Sequence, residues 1–249
     1  MKSPNLRGLA HDALELAAIV LAVLCVRTAV AAPNYVPSGS MEPTLAIGDL
    51  ILSAKYAYGY SRHSLPFDPG LPGGRWLGRM PERGDVVVFE APGHPGETWV
   101  KRVVGLPGER IMMRGGFLWI DGEQVPVTRD GSGSVEDESG RRTPAARFLE
   151  HLPGGCVHPI LKQTVSGLLD NTPEFRVPAG HLFMMGDNRD HSWDSRAPLA
   201  VGGIGFVPVD NLIGRTGLVL GSWDFPRAGR GVTEWPQSLR LSRFFSRVR

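Results

Sequence analysis

Gly84-Asp85-Val86-Val87-Val88-Phe89 is the stretch on which the fold turns. A Gly-Asp turn feeds directly into a β-branched run too short for a helix, the pattern of a buried strand. Other runs of the same kind lie on either side. Asp49-Leu50-Ile51-Leu52 precedes it, and Thr98 to Val104 follows. Phe117-Leu118-Trp119-Ile120, Asp121-Gly122 and Gln124-Val125 read as a hairpin around an Asp-Gly turn. His181-Leu182-Phe183-Met184-Met185 and Gly217-Leu218-Val219-Leu220 complete the set. With Gly 32 and Pro 21 in 249 residues, and no helical period after the first 35, the chain is expected to be mainly β. Its length suits one sizeable domain plus a short appendage. The sequence contains no internal repeat. Two polar, turn-rich stretches read as loops or insertions, near 58–83 and 129–143.

The net charge of +2 gives the body of the chain no reason to bind nucleic acid. Cys25 and Cys156 are too differently placed for an intrachain disulfide, and each reads as a small buried hydrophobe. The N-terminal segment fixes the expected compartment. Leu16 to Val26 is uncharged, and extending it over 13–32 gives about 20 residues interrupted by Glu15 and Arg27, near the length of a bilayer span. A cleaved secretory signal and a buried amphipathic helix are the rival readings. Taken as an anchor, it divides the chain into a cytoplasmic stretch 1–12, a transmembrane helix 13–32, an outer domain 33–226 and a basic tail 227–249. Lys2 and Arg7 precede the span, so residues after 32 are expected outside the cytoplasm, with Arg27 snorkelling at the outer interface.

Beyond the anchor lies Pro37-Ser38-Gly39-Ser40-Met41-Glu42-Pro43-Thr44-Leu45, a serine turn braced by two prolines of fixed φ. A serine needs a base to act as a nucleophile. None of His11, His63, His94, His151, His158, His181 or His191 sits in a triad context, and no G-x-S-x-G elbow is present. A zinc site from His151, Cys156 and His158 matches no standard ligand spacing. Lys101, in Trp99-Val100-Lys101-Arg102-Val103-Val104, remains. Strand alternation puts Trp99, Lys101 and Val103 on one face and Val100, Arg102 and Val104 on the other. From this run alone, an exposed edge-strand lysine is the better account of Lys101. A third segment, Gly186-Asp187-Asn188-Arg189-Asp190-His191-Ser192-Trp193-Asp194-Ser195-Arg196, is dense in charge.

These three segments in this order, with Lys101-Arg102-Val103-Val104-Gly105-Leu106-Pro107-Gly108 as the second, resemble the bacterial type I signal peptidases, membrane-bound serine/lysine endopeptidases. The resemblance covers roughly 13–221. It implies a coiled antiparallel β-sheet domain with one N-terminal transmembrane helix. It implies Ser40 as nucleophile and Lys101 as a base whose pKa is lowered by apolar burial. Ser38 is implied to complete the oxyanion hole with the Ser40 N–H, and Ser192 to hydrogen-bond and orient Lys101. Val36, Met41, Leu45 and Val100 are implied as apolar walls for small substrate side chains. Asp187, Arg189, Asp194 and Arg196, with Arg102, are implied to pair behind the site, and Gly186 to let the backbone pass close to the lysine. His191, Trp193 and the Gly-rich run from Val201 to Gly205 depart from the family pattern and are expected to affect only local loop shape.

The implied activity is removal of signal peptides from exported preproteins at the outer face of the inner membrane. The implied specificity is for small residues at the first and third positions before the cut. The implied partners are those signal peptides, membrane lipid and the export machinery, and no metal or organic cofactor is called for. A relative processing a pilin in conjugation and an inactive, membrane-tethered β binding module are the alternatives. Self-cleaving repressors share the serine/lysine chemistry, but the anchor speaks against them. The tail from Arg227 to Arg249 holds six arginines and one acid, with apolar residues interleaved. It reads as a short basic amphipathic helix on anionic lipid or as a disordered tail.

Overall fold

The computed structural model describes residues 6–64, 74–136, 140–164, 166–224 and 235–248. Val86–Glu90 is strand β3, fourth in a seven-stranded antiparallel sheet. Its other strands are β1 (Ala31–Tyr35), β2 (Asp49–Ala54), β4 (Thr98–Gly105), β12 (His181–Met185), β13 (Val207–Pro208) and β14 (Leu212–Ser222), in the order β1-β2-β14-β3-β4-β12-β13. The uninterrupted apolar run of β3 has a simple cause: both faces of the sheet are covered. Val87 and Phe89 pack with Val103, Leu182, Met184 and Leu212 on one side. Val86 and Val88 pack with Val36, Met41, Leu45, Ile51 and Val219 on the other. Register shifts along β14 and between Phe183 and Met184 add local twist and bend the sheet. The molecule is mainly β and antiparallel, as expected.

Two smaller sheets flank this one. The first has the order β11-β5-β6-β7, from Phe175–Arg176, Arg110–Arg114, Phe117–Ile120 and Glu123–Gln124. Its β6–β7 turn has Asp121 at φ 52 and Gly122 at φ 87, the doubly left-handed geometry for which Asp-Gly is suited. The second pairs β8 (Val127–Glu136), β9 (Arg142–His151) and β10 (Val157–Lys162). The expected loop at 129–143 is thus corrected: 129–136 is strand, and only 137–139 lies outside the described residues. Most of β8 is wet on both faces, so it carries no hydrophobic alternation to read. Within 58–83 the described parts are tied down. Tyr60 bridges Trp76, and the Arg75 guanidinium donates to the carbonyls of Tyr58, Gly59, Val209 and Leu212.

The N-terminal segment is helix α1, Leu6–Ala29, and Ala31 already begins β1. No helix among the described residues is long and apolar enough to cross a membrane. Asp12, Glu15 and Arg27 leave only Leu16–Val26 uncharged. Those residues rise about 16 Å as helix, against about 30 Å of hydrocarbon. The expected 13–32 span is corrected to this extent. Leu14, Leu16, Ile19, Leu21 and Val23 are all exposed.

The tail also departs from both expectations. Trp235–Ser238 forms one helical turn, α2, after which the chain docks on β14. Val219 N donates to Ser246 O at 2.9 Å, Phe245 N to Val219 O at 2.8 Å and Val248 N to Gly217 O at 3.2 Å. Beyond Arg215, β14 no longer pairs with β3, and the tail supplies the missing partners on that edge. Residues 225–234 lie outside the described residues.

Candidate active site

Ser40 lies in the tight 3₁₀ turn Gly39–Met41, entered from extended Ser38. Two bonds from Asn188 hold this turn. Its side-chain amide donates to Gly39 O at 3.0 Å, and its backbone N–H to Ser40 O at 3.1 Å. Gly186 is required by close approach: a Cβ there would sit 2.4 Å from Ser40 O and 2.3 Å from Ser192 Oγ. Lys101 comes from the centre of β4, between β3 and β12. It is buried, and its Nζ lies 2.6 Å from Ser40 Oγ. The sequence alone left an exposed edge lysine open; a central strand covered on both faces removes that reading.

Burial lowers the Lys101 pKa to about 8, with Arg196 adding to the effect and Asp194 and Asp187 opposing it. An amine so placed is neutral within reach of physiological pH and in hydrogen-bond contact with a hydroxyl. It can take the proton of an attacking serine.

The acids and arginines behind the dyad form two buried forks. Arg102 donates to both Asp187 oxygens, at 2.8 and 2.7 Å. Arg196 does the same to Asp194, at 2.8 Å from each nitrogen used. Burial alone would raise both carboxyls, but the facing guanidinium in each pair outweighs it and holds them below their usual range. Asp194 also accepts from Gly186 N at 3.0 Å, fixing the strand that passes the serine turn. Arg189 pairs with Glu150 instead, and His158 stands between Glu150 (3.2 Å) and Asp187 (3.3 Å). Sequence reasoning missed this link between β9, β10 and the site, because its partners are far apart in the chain. The zinc idea is replaced by it, and among the described residues no cluster suited to a metal is present.

A cleft of about 660 Å³ opens over the dyad, lined by Ser38, Ser40 and Lys101. Its walls include Tyr35, Val36, Val88, Val100, Trp99 and Trp193. Two expectations need correction. Met41 and Leu45 do not line the cleft; they are fully buried in the core under the serine turn. Trp193 and His191, expected to affect loop shape only, do line it. The signal for Trp193 was present, since a large aromatic among charged residues in a site segment has no core to join. Ser38 Oγ lies 3.4 Å from Ser40 Oγ, at the cleft edge. Ser192 makes no hydrogen bond to Lys101, whose amine is aimed at Ser40. The Ser192 Oγ is buried beside Asp194, whose carboxyl it helps to keep ionised.

The family described as signal peptidase, peptidase S26, matches residues 10–223 of this chain. Signal peptidase I of Rickettsia typhi (strain Wilmington) is 35% identical, over 92% of this chain and 90% of that protein. Signal peptidase I of Rickettsia bellii (strain OSU 85-389) is 33% identical, over 98% and 87%. A crystal structure of a signal peptidase I from Enterococcus faecalis V583 is similar at 23% identity and a TM-score of 0.32, over 55% of this chain and 97% of that one. The sequence relationships make the protein a serine endopeptidase. It belongs to the signal peptidase family, peptidase S26.

Proposed function

We propose that this chain removes N-terminal signal peptides from exported preproteins, using Ser40 as nucleophile and Lys101 as general base. The observation that carries the reading is the buried Lys101 amine 2.6 Å from Ser40 Oγ at the foot of a cleft. Neutral Lys101 takes the hydroxyl proton as Ser40 Oγ bonds to the scissile carbonyl carbon. The oxyanion that forms is met by the Ser40 N–H and the Ser38 hydroxyl. Lys101 gives its proton to the leaving amine, the first residue of the mature protein. Water, deprotonated by Lys101, then hydrolyses the acyl-enzyme and restores Ser40. The Ser192 hydroxyl, beside Asp194, is available to the lysine once it carries the proton. No metal or organic cofactor enters these steps.

Val36, Val88 and Val100 give the cleft an apolar floor, which supports a preference for small residues at the first and third positions before the cut. The exposed apolar side chains of α1 need a non-aqueous cover. That supports attachment to the inner membrane, with the catalytic domain on its outer side, next to lipid and the export machinery. The test is incubation of the detergent-solubilised protein with a preprotein and sequencing of the new N-terminus. Cleavage after small residues, abolished in Ser40→Ala and in Lys101→Ala, is expected. Uncut preprotein with the unaltered chain, or full cutting by Ser40→Ala, removes the reading.

A further inference from the structure

The docked tail reaches further than the edge of β14. Arg243 Nε donates to Asp49 Oδ1 at 2.9 Å, and its Nη2 to Asp49 Oδ2 at 2.5 Å and to Thr44 O at 3.0 Å. Asp49 is buried and also accepts from Ala46 N at 2.9 Å. Arg240 Nη1 donates to Ile47 O at 2.6 Å, and its Nη2 lies 3.5 Å from Asp224. Every one of the loop groups involved belongs to the segment that leaves the serine turn and enters β2. Thr44 in turn hydrogen-bonds Asp187 through its hydroxyl and lies 3.3 Å from Arg102 Nη2. Through Thr44, Arg243 is thus connected to the ion pair next to Lys101 in β4. The tail is held firmly enough to keep Phe245 at φ 56, a left-handed conformation that a bulky residue adopts only when its surroundings fix it.

We infer that the C-terminal segment is a strap for the nucleophile loop, and that Arg243 is a positioning residue for the proteolytic reaction. The inference rests on Ser40 being the nucleophile. Its chemistry is specific to arginine. One planar guanidinium satisfies a buried carboxylate and a loop carbonyl at once, which a lysine's single ammonium matches poorly. With the strap intact, Ser40 stands at contact distance from Lys101. With it loosened, the Thr44–Asp49 segment loses two of its anchors and the Ser40 hydroxyl wanders relative to the amine. A misplacement of about 1 Å can lower a rate by roughly 10²-fold. The parts of the cleft wall carried by β1, β3 and β4 stay in place.

The test uses the full chain in detergent with a preprotein substrate, comparing Arg243→Ala, Arg243→Lys and Ser40→Ala below the melting onset of each. Arg243→Ala should lower kcat by roughly 10–100-fold with KM little changed. Arg243→Lys should fall between Arg243→Ala and the unaltered chain. Hydrogen exchange should quicken at 40–48 while the β5–β6 hairpin keeps its protection. If Arg243→Ala does not fold, Arg243→Lys decides alone: an unchanged kcat overturns the inference. So does a kcat loss matched by equal loss of protection throughout the domain, which describes a merely structural residue. Full activity in Ser40→Ala would instead remove the dyad reading on which this stands.

Discussion

At the scale of the residue, the dyad is an argument about one proton. Lys101 is held near a pKa of about 8, and in the proposed mechanism only its neutral form accepts the Ser40 proton. Cleavage should rise with pH through about 8 and stay high above it. Buried Glu42, two residues from Ser40, is raised to about 7, first by burial, and is the rival source of such a limb. Glu42→Gln should leave the limb near 8 in place, and a limb that vanishes in this variant assigns it to Glu42 instead. The same burial carries a stability cost. The unfolded chain holds the Lys101 proton up to about 10.5, while the folded chain releases it near 8. Stability from this group is therefore lowest below pH 8 and recovers as pH rises toward 10.5. Lys101→Met should abolish cleavage and stabilise the fold at neutral pH by on the order of 1–3 kcal/mol. Urea denaturation checks this, and a less stable variant contradicts it. Ser38→Ala should lower kcat by roughly 10²–10³ with little change in KM, because the bond it donates forms mainly in the transition state. An unchanged kcat makes Ser38 an ordinary turn residue.

At the scale of the element, β4, the serine turn and the segment after β12 meet at one point, where Gly186 has no room for a side chain. Gly186→Ala must push Ser40 O or the Ser192 side chain aside. Cleavage should drop by about 10²-fold while the fold survives. A fully active alanine variant shows that the turn moves freely. The Arg102–Asp187 fork joins β4 to the same segment. Asp187→Asn leaves Arg102 buried without its counter-charge and should cost about 3–5 kcal/mol of stability, read from the urea midpoint. A change below about 1 kcal/mol would mean that Glu150 or water takes over.

At the scale of the whole molecule, the question is what touches the membrane. The sequence offered two contacts, the N-terminal segment and the basic tail. The structure engages the tail elsewhere, since Arg240 and Arg243 face Ile47 and Asp49. The proposed membrane attachment is therefore assigned to α1. A version beginning at Ala31 keeps β1 and its pairing with β2. It should still cut a preprotein in detergent, yet lose most of the co-sedimentation with anionic vesicles shown by the full chain, at low salt as at high. Equal vesicle binding by the two would place the contact on the catalytic domain.

The sequence by itself determined what local chemistry can encode. The β-branched runs became strands, and Asp121-Gly122 became the left-handed turn it is suited to. Ser40 and Lys101 were singled out through the order of three segments, not through any property of the lysine's own run. Where the signal is not local, the sequence was silent or misleading. Most of the strand at 127–136 is wet on both faces, so its residues need no pattern. Only the resemblance made Met41 and Leu45 pocket walls, and a tight turn points them into the core. Arg243 lies 194 residues from Asp49 and 199 from Thr44, and Arg102 lies 85 residues from Asp187. Charges so distant are brought together only by the sheet's strand order and the tail's return to β14. That is why the proposed dyad was legible in the sequence and the groups around it were not: a candidate nucleophile and base are picked out by chemistry, whereas the groups that hold them in place are chosen by proximity, which only the folded chain creates.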